Sequence, residues 1–246
     1  MKFSVRYLPI IIANTLLLTT IITTTLAYYY GHVTHIIPYI SDTGTLPPES
    51  CFFGQFLNII WLLLSAAMYL KFKQVQDILS KHNMTHKNNL NKFTAIIGLT
   101  AAFGVSIVAN FQETNMFIVH WIGAVMAFGG GAVYVCLQTS LYLTIAPVIG
   151  QMFLTKVRIG VSALTVVSFL IYFIAAMISY TKFNGQNYLS WTKEDGGFEW
   201  HNTSTITEWI CSISIMVYIM LMGDEFKTLT VYEPEIDVGL NQRSSS

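Results

Sequence analysis

Apolar residues along this chain come in long blocks rather than in stripes one face wide. Six blocks qualify or nearly qualify as membrane-crossing helices: residues 7–30, 51–70, 93–110, 117–143, 157–180 and 206–222. A bilayer's hydrocarbon core is about 30 Å thick, which takes about 20 apolar residues at helical rise. The third and sixth blocks sit at the short end, and interfacial residues continue both. The expected fold is all-α, a polytopic six-transmembrane-helix bundle over residues 1–223. Residues 224–246 are acidic at Asp224, Glu225, Glu233, Glu235 and Asp237 and end on three serines, so a disordered cytosolic tail is expected there. The first block follows Lys2 and Arg6, and Thr25-Leu26-Ala27 would serve as a cleavage site. Its apolar core exceeds the usual signal-peptide length, so an uncleaved helix is expected.

Basic residues set the orientation. With the N-terminus inside, the inner segments hold Lys2, Arg6, Lys71, Lys73, Lys81, Lys87, Lys92, Lys156, Arg158, Lys227 and Arg243, and the outer loops hold only Lys182 and Lys193. That bias places both termini and the 71–92 loop in the cytosol. Residues 31–50 and 181–205 then form outer loops, 111–116 a tight outer turn, and 144–156 an inner connection where Pro147 and Gly150 are expected to break the helix.

Composition agrees: 53% of residues are hydrophobic and only 11% charged, with a formal net charge of zero. No nucleic-acid partner is expected from that balance; the expected partners are the lipid bilayer, a candidate lipid ligand and unidentified proteins. Cys51, Cys136 and Cys211 have no metal or redox spacing. Cys51 and Cys211 both fall near the outer face, where a disulfide would be open to them. Of two sequons, Asn83 is on the inner side, and Asn202 is outer but close to the last helix. No nucleotide, cofactor or nucleophile-elbow motif is present, so no cofactor is expected.

Polar residues inside spans are the informative exceptions. In the fourth block His120, Gly123, Ala127, Gly130, Gly131, Tyr134 and Gln138 recur at steps of three or four, which puts them on one helical face. In the third block Gly98, Ala102, Val105 and Ala109 make a similar stripe. Small residues let helices approach closely, so packing is the plainer reading and a ligand groove the sharper one. Depth adds a second clue. Asp42, Glu49, Asn110, Gln112, Glu113, His120 and Glu208 all fall at or near the outer face, a candidate polar network. One histidine is a poor start for a metal site. A structural network, a pH-sensitive cluster and a hydrolase centre remain as readings, with a link between His120 and Glu208 expected.

The loop Pro38-Tyr39-Ile40-Ser41-Asp42-Thr43-Gly44 followed by Pro47-Pro48-Glu49-Ser50, then Val108-Ala109-Asn110-Phe111-Gln112-Glu113, Val119-His120 with Gly123-Ala124, and Glu208-Trp209, resembles the damage-regulated autophagy modulator (DRAM) family. The related transmembrane-150 group shares the Pro-Pro-Glu-Ser, Asn-Phe-Gln and Glu-Trp pieces. The resemblance covers nearly the whole chain and implies six helices, mostly lysosomal membranes, and a role in autophagy and stress-linked cell death. It brings no established catalytic residues. The implied function is a non-enzymatic membrane regulator of autophagy. The alternatives are a lipid-handling or transport protein with a groove between the third, fourth and sixth spans, and an intramembrane hydrolase.

Overall fold

The computed structural model describes residues 2–34 and 37–232. Six helices in it are long and apolar enough to cross a membrane. Helix α1 spans Leu8–Tyr29, with Pro9 in its first turn, where a missing N–H costs nothing. Its threonines return their hydroxyls to carbonyls one turn back, as Thr15 does to Ile11 and Thr19 to Thr15. Helix α2 spans Glu49–Lys81 and α3 spans Asn88–Asn110. The fourth crossing is α4 (Phe117–Ala124), a π-helical turn (Val125–Gly129) and α5 (Gly130–Ile149). Helix α6 spans Met152–Lys182, and α7 (Phe198–Met220) runs into the short α8 (Met222–Phe226). Strands β1 (Lys2–Ser4) and β2 (Thr230–Tyr232) pair antiparallel and tie the two ends of the described chain together.

The helices form a closed ring in the order α1, α2, α3, α4–α5, α6, α7 and back to α1. Their outward faces carry Ile96, Leu62, Val167 and Ile174, all well exposed. Apolar exposure on that scale suits a lipid-facing surface. Inside, the small-residue stripes pack as the sequence suggests. A side chain on Gly104 would lie 2.6 Å from the Ala127 nitrogen and 2.7 Å from the Gly123 carbonyl oxygen. The π turn therefore sits where α3 presses closest on the fourth crossing, and the widened turn and the missing Cβ occur together. Gly130 packs on Ala101 and Gly131 on Ile215.

Several expected boundaries move. The 71–92 segment is not a loop: α2 continues to Lys81 because Val75 and Leu79 are fully buried against Leu141, Tyr142 and Ile145. Pro147 does not break α5, which ends only at Gly150, in the left-handed conformation at φ 70°. The expected 181–205 loop shortens to residues 183–197, since α6 runs on to Lys182 and α7 already begins at Phe198. Residues 224–232 are not a disordered tail: they form the end of α8 and strand β2. Residues 233–246, including Glu233, Glu235 and Asp237, lie outside the described residues. Cys51 is exposed, Cys211 is buried with its thiol toward the Thr165 carbonyl, and both are free thiols, so the Cys51–Cys211 disulfide does not form.

Candidate functional site

One end of the ring gathers the carboxylates. Residues 37–48 fold back over the helices there, with a 3-10 turn at Asp42–Gly44. Gly44 is required at that turn, because a Cβ would collide with the Phe53 ring at 2.2 Å. Thr23 and Thr43 bond each other at 3.0 Å and fasten the segment to α1. Trp209 donates its indole N–H to the Pro38 carbonyl at 2.9 Å and fastens it to α7.

Three carboxylates converge beneath this segment. Glu208 is 3% exposed, and its Oε2 accepts the Ile40 backbone N–H at 2.8 Å. Asp42 accepts the Tyr39 N–H at 3.2 Å. Glu113 accepts from the Ser41 hydroxyl at 2.9 Å and from the Tyr180 hydroxyl at 2.6 Å. Burial holds the Asp42 carboxyl well above its ordinary range, and the neighbouring charges of Glu113 and Glu208 push it the same way. Burial likewise raises the Tyr39 phenol, which hydrogen-bonds Ser204. Among the described residues no lysine or arginine forms an ion pair with any of the three carboxylates.

The other expected members separate. Glu49 is fully buried but bonds His32 Nδ1 at 2.5 Å. Asn110 pairs with Asn58 at 3.0 Å and with the Ser106 carbonyl at 2.7 Å. Gln112 reaches only Asn115, at 3.5 Å. His120 bonds the Phe111 carbonyl through Nδ1 at 2.6 Å, not Glu208. His120 and Glu208 are nevertheless both on the wall of one central cavity of about 120 Å³. The expected direct link between them is replaced by a shared space.

An ordered cover closes the same end. Trp191 is 2% exposed, donates to the Gly196 carbonyl at 2.7 Å, and stacks on His201 with centroids 4.3 Å apart. Thr192 and Asp195 form a capping box, and those bonds hold the exposed Asp195 carboxyl below its ordinary value. Sequence reading singled out none of Tyr180, Trp191, His201 or Ser204. Their roles come from pairings far apart in sequence.

The opposite end holds a cluster that the sequence reading also missed. Glu225 of α8 forms ion pairs with both Lys71 of α2 and Arg158 of α6, and all three are buried. Tyr142 lies beneath both cations, at 4.5 Å from Lys71 Nζ and 4.0 Å from the Arg158 guanidinium carbon. Gln74 donates to the Glu225 backbone carbonyl at 2.9 Å. Among the described residues no group of three or more His, Cys, Asp or Glu is placed to hold a metal ion.

A family model described as the Frag1/DRAM/Sfk1/Cwh43P N-terminal domain matches residues 4–229. The chain belongs to that family. The match takes in every described helix and both ends of the ring. The chain is 37% identical over 209 residues to DNA damage-regulated autophagy modulator protein 2 of Mus musculus, covering 81% of this chain and 75% of that protein. It is 34% identical over 205 residues to DNA damage-regulated autophagy modulator protein 1 of Homo sapiens, covering 82% of each. Similarity extends to the modulator of macroautophagy TMEM150B-B of Xenopus laevis, 32% identical over 190 residues, 77% of this chain and 71% of that one. No solved structure matches the chain. These relatives are named as modulators, not as enzymes.

Proposed function

We propose that this member of the Frag1/DRAM family is a non-enzymatic, multi-pass membrane regulator of autophagy. The carrying observation is the match over residues 4–229 together with relatives named as autophagy modulators. The polar chemistry at the Glu208 end supports a non-enzymatic role. Glu208, Asp42 and Glu113 are tied to backbone N–H groups and hydroxyls of the covering segment, which is how carboxylates serve as fasteners. His120 is turned to a carbonyl rather than to a serine or cysteine. In this reading the protein resides in the lysosomal or another endomembrane with both termini cytosolic, supported by the placement of the basic residues and by the resemblance. Its partners are the bilayer, proteins and a lipid-like ligand, and nucleic acid has no part.

The test is autophagic flux in cells with the chain removed and restored, with and without a block of lysosomal degradation. Loss should lower the flux under stress, and wild type should restore it. Unchanged flux on removal sinks the reading. Orientation is tested separately with an epitope after Ser246 in intact vesicles: protease should remove it, and a protected epitope reverses the topology.

A lipid-handling role is a second reading, favoured by the central cavity. It lies between α1, α2, α3, α4 and α7, which moves the groove expected between the third, fourth and sixth spans toward the ring's axis.

A further inference from the structure

The ring encloses a cavity of about 120 Å³, walled by apolar side chains from five helices, among them Ile12, Phe53, Leu57 and Ile215. A second cavity of about 70 Å³ shares Leu64, Val105, Ala127, Ile215 and Ile219 with the first. The second continues along the axis toward Tyr134, away from the carboxylates. From Glu208 to Ile219 is about 16 Å of helix. An apolar cavity of roughly 150 Å³ is enough to take benzene, so this pair of spaces has room for a single slender chain rather than a fused-ring or two-chain lipid.

The polar end of the first cavity has an uneven supply of hydrogen-bonding groups. The Phe111 carbonyl can only accept, so His120 Nδ1 carries the proton. Nε2 of the neutral ring is then an acceptor, and among the described residues nothing donates to it. Glu208 Oε2 is taken by the Ile40 N–H, while Oε1 accepts no hydrogen bond from the described residues. Both side chains are more than nine-tenths buried and both line the cavity. Ser41 lines it too, with its proton committed to Glu113 and its lone pairs open. The open groups accept, and among the described residues no lysine or arginine is in ion-pair contact with the carboxyl groups around them. An anionic head would meet these carboxyl groups with no lysine or arginine of the described residues paired beside them. A head with several N–H donors and a positive charge would satisfy the open acceptors and the charge together.

We propose that the axis of the bundle binds a single-chain alkyl amine, with its ammonium between His120 Nε2 and Glu208 Oε1 and its chain directed along the two cavities. Ala127 lines both cavities and marks the passage between them. The site is separate from the autophagy reading, since binding is measured on the purified protein.

Labelled octylamine, whose eight carbons match the room in the two cavities, is titrated onto the protein in lipid nanodiscs, against empty nanodiscs, with octanol and octanoate as matched probes. Saturable one-to-one binding is expected for the amine, weaker binding for the alcohol and none for the carboxylate. Glu208→Gln, of equal size, should weaken the amine about tenfold, the loss expected for one charge-assisted hydrogen bond, and leave the alcohol unchanged. Ala127→Leu should abolish binding of both by filling the passage. Both variants are first melted without ligand. If Glu208→Gln unfolds, the amine-over-alcohol preference of the wild type carries the test alone. The proposal is overturned if the amine binds no better than to empty nanodiscs or no tighter than the alcohol. It is equally overturned if a folded Glu208→Gln protein keeps its full affinity.

Discussion

Replacing Glu225 should be among the most damaging single changes in this protein, and more damaging than replacing the cation beside it. Lys71, Arg158 and Glu225 are each at most 3% exposed. Together they place two positive charges and one negative charge out of water. Glu225→Gln keeps the shape and an acceptor oxygen but leaves two buried cations with no counter-charge. Removing one partner of a buried ion pair typically costs about 3–5 kcal/mol. At about 2–4 °C per kcal/mol for a chain of this size, melting should fall by roughly 6–20 °C. Lys71→Met moves the cluster the other way, to one cation and one carboxylate. It loses the hydrogen bonds of Lys71 to Gln74 and Tyr142 but creates no uncompensated charge, so its cost should be clearly smaller. Tryptophan fluorescence melts in nanodiscs measure both. Glu225→Gln melting within a degree or two of wild type, or Lys71→Met proving the worse variant, would refute the electrostatic account.

Four further outcomes are expected. Gly104→Ala should lower the melting temperature, because its methyl would lie 2.6–2.7 Å from backbone atoms of the fourth crossing that cannot give way. Gly160→Ala in α6 meets nothing within 4 Å and should leave stability equal or raise it by up to about 1 kcal/mol through helix propensity. The Asp42 carboxyl is raised in the folded state, so its proton is held more tightly there than in the unfolded chain. Stability from this group is therefore greatest at acid pH and falls as pH rises above the ordinary value of 3.8, by at most about 1.4 kcal/mol per pH unit. Asp42→Asn should flatten that part of a melting-versus-pH profile, in which Glu113, Glu208, Tyr39 and Tyr180 also face the site; an unchanged slope contradicts the assignment. Trp191→Ala should cost about 3–5 kcal/mol, and faster hydrogen exchange across residues 183–197 would show the cover loosening, whereas unchanged exchange would not fit its anchoring role.

The spans were legible because lipid accepts only helices that are apolar most of the way round, and that demand writes blocks into the sequence. Their ends were less legible for the same reason. Beyond the bilayer α2 needs only one apolar face, so Lys71, Val75 and Leu79, spaced four apart, keep it helical without raising hydropathy. The convergence of Asp42, Glu113 and Glu208 followed from depth, since topology alone placed them at one end. Their partners did not follow, because depth fixes height along the axis and not position around the ring. His120 illustrates the difference: it stands on the cavity beside Glu208, but the turn after α3 brings the Phe111 carbonyl nearer to its Nδ1. Glu225 was misread for a different reason. An acidic residue after the last span looks like part of a solvated tail, and nothing local in the sequence signals two buried cations waiting in α2 and α6.

Taken together, the two ends of the ring carry buried charge of opposite sign. The Glu208 end holds three carboxylates with no lysine or arginine paired to them, and the Glu225 end holds two cations against one carboxylate. Neither arrangement is the cheapest way to hold helices together, since apolar packing of equal volume is often as stable or more so. The surplus at the Glu225 end has the sign of the basic residues along the chain's expected inner segments, Lys73, Lys81, Lys87 and Lys156. The surplus at the other end stands beside open acceptors on a cavity wall. The first surplus fastens α2, α6 and α8 to one another and leaves Arg158 Nη1 without a hydrogen-bond partner among the described residues. At the second, Glu208 Oε1 and His120 Nε2 have no hydrogen bond among the described residues and their side chains line a cavity, and it is this combination, which Arg158 lacks, that points to a ligand.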